Sequence, residues 1–88
     1  MPTEELSPPS VVYVTWRDCT SCDAWMLPPE AEEIGCPIIL TCGFLAFENK
    51  ESIGVAVAWE SQFGKVAGTF NIPRGQIISI DYVEWVKR

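Results

Sequence analysis

The residues of this 88-residue chain best suited to chemistry are its four cysteines: Cys19-x-x-Cys22, then Cys36 and Cys42. A zinc ion held by thiolates would use the first pair as a knuckle and would support a thin core. The second pair argues against it. Cys36 and Cys42 bracket Pro-Ile-Ile-Leu-Thr, and in a strand they would share a face about 20 Å apart, too far for one metal without a sharp bend. Cys42 also sits in apolar sequence, where a free cysteine behaves as a small buried hydrophobe. A redox Cys-x-x-Cys would open a helix, but Asp23 to Leu27 runs into Pro28 and Pro29 instead. Free thiols and no metal are therefore expected. If zinc is bound after all, its ligands are Cys19, Cys22, Cys36 and Cys42, and disulfides come last.

No other group is placed for catalysis. Histidine is absent, which removes the commonest general base and metal ligand together. Glu30, Glu32 and Glu33 read as the solvated first turn of a helix. There is no glycine-rich phosphate loop and no serine or cysteine in a nucleophile setting. The expectation is a protein that is not an enzyme and carries no cofactor. Trp16, Trp25, Trp59 and Trp85 read as core fillers, with Trp25 a lid over one end of the fold. Phe63, beside Gly64 and Lys65, has the composition of a stacking platform for a base.

These residues must be positioned by short strands. Residues 41–60 form two apolar runs around the polar tip Glu48-Asn49-Lys50-Glu51-Ser52, a hairpin signature. In the second run Ile53, Val55, Val57 and Trp59 share one face; Gly54, Ala56 and Ala58 leave a small apolar face suited to another backbone. The first run, Gly43 to Phe47, is apolar throughout, as expected of a strand covered on both faces. Before it, Val11 to Arg17 alternates. Pro28-Pro29-Glu30 opens a short helix that Gly35 and Pro37 end. After it, Lys65 to Ile72 and Gln76 to Asp81 are strands joined at Pro73-Arg74-Gly75. Five short strands and one short helix predict a mostly β, strongly bent small barrel. Residues 1–10 are expected to be a flexible arm, and residues 11–88 one domain.

Charge limits the partners. The net charge is −6, and it lies in the first third, where Glu4, Glu5, Asp18, Asp23, Glu30, Glu32 and Glu33 stand against Arg17 alone. With no basic run to neutralise phosphates, DNA is not an expected partner and generic RNA only a weak one. No stretch has the length of a membrane span, and the N-terminus lacks the pattern of a secretion signal, so a cytoplasmic protein is expected. A chain this small and apolar favours self-association.

Two motifs carry a family likeness. Ile72-Pro73-Arg74-Gly75-Gln76-Ile77-Ile78 resembles the second signature of Sm-like proteins, an Arg-Gly turn followed by an apolar strand. Gly43-Phe44-Leu45 is similar to their first signature, a Gly-x-Leu strand. The opening, a tryptophan strand followed by Asp18 and Trp25, also resembles small phage proteins of Sm-like type with an Ile-Pro-Lys or Ile-Pro-Arg ending. The likeness covers Gly43 to Ile80. It implies a five-stranded SH3-like barrel in which the fourth strand of one subunit pairs with the fifth of the next. A homo-oligomeric ring of five or six subunits would result, acting as an assembly or small-ligand module. It further implies nucleotide or RNA binding near Arg74 and Gly75 and at a loop asparagine, near which Asn49 falls, with Phe63 and Lys65 as further ligand-side candidates. Two departures stand out: the family's aromatic between its leucine and asparagine is missing, and this chain starts with a strand where the family has a helix. A zinc-stabilised protein-interaction module is the remaining alternative.

Overall fold

The computed structural model describes residues 6–19, 21 and 23–83. It is mostly β: β1 (Val11–Arg17), α1 (Pro28–Ile34), β2 (Ile38–Glu48), β3 (Ser52–Trp59), β4 (Val66–Pro73), a 3-10 turn (Arg74–Gln76) and β5 (Ile77–Val83). The strands form one antiparallel sheet in the order β4-β3-β2-β1-β5. It is an open sheet with β4 and β5 at its two edges, so closure into a barrel is not part of the observed pairing.

Alternation in β1 does what its sequence dictates: Val12, Val14 and Trp16 are buried, while Tyr13 and Arg17 face out. Those three side chains form one core with Ile53 and Val55 of β3 and Ile72 of β4, flanked by Ile39, Leu45, Ile77 and Ile80. Because β1 shares a core with strands up to three places away, the sheet curls over its own inner face. Full burial of an aliphatic side chain of this size stabilises by about 1.5–3 kcal/mol. The core holds no buried polar group among the described residues. Trp16 keeps its one polar atom satisfied at the core margin, donating from Nε1 to Thr41 Oγ1 at 2.9 Å.

β2 turns the corner. Its residues from Ile38 to Phe44 pair with β1, and those from Phe44 to Glu48 pair with β3. The register shifts between Leu45 and Phe47, so Ala46 is the extra residue of a bulge, which increases local bend and twist. This accounts for the unbroken apolar run Gly43 to Phe47.

The same corner corrects the expected faces of β3. Ile53 and Val55 are buried, but Val57 and Ala58 are exposed, because the β2 ladder ends at Ala56 and leaves the end of β3 paired with β4 alone, at Ala58 and Trp59. The small face is not vacant for another chain at its first half. The Phe47 ring covers Gly54, and Gly43 lies against the backbone of Ala56.

α1 has Pro28 and Pro29 in its first positions, Glu30 in its first turn and Gly35 after its end at φ +64°. None of its residues is buried. Trp25 is fully exposed, so it is not a lid. Of the N-terminal ten residues, Leu6 N–H donates to Ser61 O and Ser10 O accepts from Leu45 N–H. Residues 1–5 lie outside the described residues, as do Thr20, Cys22 and residues 84–88, Trp85 among them. Among the described residues no helix is long and apolar enough to cross a membrane.

Candidate functional site

Pro73 ends β4 at φ −62° and leads into the 3-10 turn that holds Arg74 and Gly75. The Arg74 N–H donates to Glu51 O at 2.8 Å, seating this turn against the tip of the β2–β3 hairpin. The guanidinium then reaches across that tip. Its Nε donates to Asn49 O at 2.9 Å, and one terminal nitrogen lies 3.4 Å from Glu48 Oε2. Arg74 and Asn49, paired in expectation by the family likeness, are thus brought into direct contact from 25 residues apart.

The Asn49 side chain is committed to its own turn. Its Oδ1 accepts from the N–H groups of Glu51 and Ser52, both at 2.9 Å. This fold-back is what asparagine does at a hairpin tip. Glu48 is the acceptor shared by the cluster: Tyr82 of β5 donates its hydroxyl to Glu48 Oε2 at 2.9 Å. That hydrogen bond, together with some desolvation and the carboxylate charge, raises the Tyr82 pKa above its ordinary value of 10.0. Both Arg74 and Glu48 are more than a third exposed, so their ion pair contributes at most about 1 kcal/mol. Glu48 and Tyr82 are members that sequence reasoning missed. Alternation alone cannot show that β5 swings its tyrosine over the end of β2.

Phe63 and Lys65 lie elsewhere. They belong to the β3–β4 connection, separated from Arg74 by the length of β3, about 25 Å at the usual rise. The Lys65 ammonium sits 5.6 Å from the centroid of the exposed Phe63 ring. Glu60 builds this turn: its Oε1 accepts from the N–H of Phe63 and of Lys65, and its Oε2 from that of Gln62. The Lys65 N–H foremost, with those of Gln62 and Phe63, holds the Glu60 carboxyl below its ordinary pKa of 4.5 against a smaller desolvation effect. The five candidate ligand residues therefore form two separate places, Arg74–Gly75–Asn49 and Phe63–Lys65.

Cys19, Cys36 and Cys42 are free and exposed. For Cys42 this corrects the expected burial: it lies on the outward face of β2, opposite Tyr13. Cys22 lies outside the described residues. Among the described residues no cluster of three or more cysteine, aspartate or glutamate side chains is arranged to hold a metal ion. No protein-family model, curated protein or solved structure matches this chain.

Proposed function

We propose that this chain is a non-enzymatic, Sm-like small barrel of phage type that assembles into a homo-oligomeric ring and serves as an assembly or small-ligand binding module. One observation carries the reading: both edges of the sheet are open and apolar. Val66 and Phe70 on β4, and Ile78, Tyr82 and Val83 on β5, are large apolar side chains left exposed. An open edge is a template for another strand. The two strands that the family likeness would join between subunits are the two that lack a second neighbour here. A head-to-tail contact of this kind closes into a ring or runs on as a fibre, and curl of the sheet favours closure.

Sedimentation and native mass spectrometry of the full chain test this. The expected species has five or six subunits, and Ile78→Lys, which puts a charge on the β5 edge, gives folded monomers. A folded wild-type monomer at high micromolar concentration would overturn the reading.

A second reading, nucleotide or RNA binding at the Arg-Gly turn, is supported by the contact between Arg74 and Asn49. Glu48 works against it by placing a carboxylate beside the guanidinium. A ring would set this cluster around its axis several times over, multiplying both the arginines and the carboxylates.

A further inference from the structure

We propose that Cys19 and Cys36 are a dithiol pair that closes into a disulfide at the base of the β1–β2 excursion, a redox clasp independent of the ring. The β1–β2 register runs from Val11↔Phe44 to Arg17↔Ile38 without a shift. It continues one step further, since Asp18 N–H donates to Pro37 O at 2.9 Å. The next step of the same register sets Cys19 opposite Cys36.

The hydrogen-bond phase of the ladder fixes the kind of pair. Asp18 bonds to Pro37, and Ser10 accepts from Leu45 at the other end, so even-numbered positions of β1 are the hydrogen-bonded ones towards β2. Cys19 and Cys36 then occupy a non-hydrogen-bonded position, where facing Cα atoms approach to about 4.5 Å and side chains come closest. That spacing lies inside the range of about 4.4–6.8 Å that a disulfide spans. The Cys19 N–H is turned away from Cys36 and donates to Asp18 Oδ1 at 2.8 Å.

Two further features fit. Both cysteines line one shallow cavity of about 260 Å³ with Arg17, Gly75, Gln76 and Ile77, which places them together in space. Gly35 has φ +64° and ψ −168°, a conformation essentially reserved for glycine, and it turns the chain out of α1 into Cys36. The excursion between the two cysteines has no buried helix residue to anchor it. It presents Trp25, Leu27 and Ile34 to solvent, so a bond at its base would fix how this apolar surface is held relative to the sheet.

The oxidant is a small-molecule disulfide such as oxidised glutathione. One protein thiolate attacks its S–S bond, forming a mixed disulfide and releasing one glutathione thiolate. The second protein thiolate attacks the protein sulfur of that mixed disulfide, forming the Cys19–Cys36 bond and releasing the second glutathione. The protein dithiol loses two electrons, the oxidant gains them, and the two thiol protons end on the two glutathione molecules.

Oxidation of the full chain with oxidised glutathione, followed by cleavage at Glu30, Glu32 and Glu33, reads the connectivity. The expected result is a disulfide that links the fragments on either side of these glutamates until reduction separates them. It persists in Cys22→Ser and in Cys42→Ser and disappears in Cys36→Ser and in Cys19→Ser. Fragments that remain unlinked, a link lost in Cys22→Ser, or a link found only between chains would each overturn the proposal.

Discussion

The rings of Trp16 and Phe70 meet edge to face, with centroids 5.7 Å apart and planes inclined at 61°. Trp16 is on β1 and Phe70 on β4, with β2 and β3 between them in the sheet. In a flat sheet these strands would stand about 14 Å apart. The contact therefore measures the curl, and it yields the first prediction. Trp16→Ala should cost about 3–5 kcal/mol, as deletion of a buried tryptophan does. Phe70→Ala should cost less because that ring is half-exposed. A double-mutant cycle by urea unfolding should give a coupling of about 0.5–1.5 kcal/mol, the range for aromatic pairs. Simple additivity would show that these two rings do not meet in solution.

Gly43 sits at the corner of β2 where a Cβ would stand 2.5 Å from Ala56 O and 2.9 Å from Val55 Cγ1. Backbone cannot give way as a long side chain can. Gly43→Ala should lower stability by about 1–3 kcal/mol, the usual cost of forcing extra volume into a packed site. Gly75→Ala is the control, since nothing lies within 4 Å of a Cβ there. Chemical denaturation of both variants checks this, and equal losses would contradict the close approach at Gly43.

Glu60 gives a pH dependence. Its folded-state pKa is depressed by the N–H groups of Lys65, Gln62 and Phe63. Its contribution is therefore fully present above the ordinary value of 4.5 and lost as pH falls through the lower folded value. Glu60→Gln should be less stable than wild type at neutral pH, and the gap should narrow in acid below that ordinary value. Denaturant midpoints across the acid range decide it; a gap that does not change with pH would remove the carboxylate from the account.

For nucleic acid, the acidic chain should bind unstructured RNA only weakly at physiological salt. Where binding is detected at low salt by fluorescence anisotropy, Arg74→Ala should remove more of it than Lys50→Ala. Equal losses would mean that the Arg-Gly turn is not the place of contact, and a submicromolar affinity at physiological salt would reverse the charge argument.

Local order was written in the sequence by itself. Alternation from Val11 to Arg17, prolines ahead of Glu30, Gly35 past the helix end and the polar tip at Asn49 each act through neighbours a few residues away. Such signals place strands, helix and turns nearly where they are found. Alternation also gave the buried face of β1, but tertiary structure alone decided what β3 and the β1–β2 connection bury. Val57 belongs by pattern with Ile53 and Val55, yet it is exposed because β2 leaves β3 at Ala56 to pair with β1. Trp25 has the size of a core residue and yet is fully exposed, beside a helix that buries none of its residues. The contacts of Arg74 with Asn49 and of Tyr82 with Glu48, like that of Trp16 with Phe70, depend on how far the sheet curls. Curl comes from the bulge at Ala46 and the packing of one shared core, and no periodicity along the chain encodes an angle between strands.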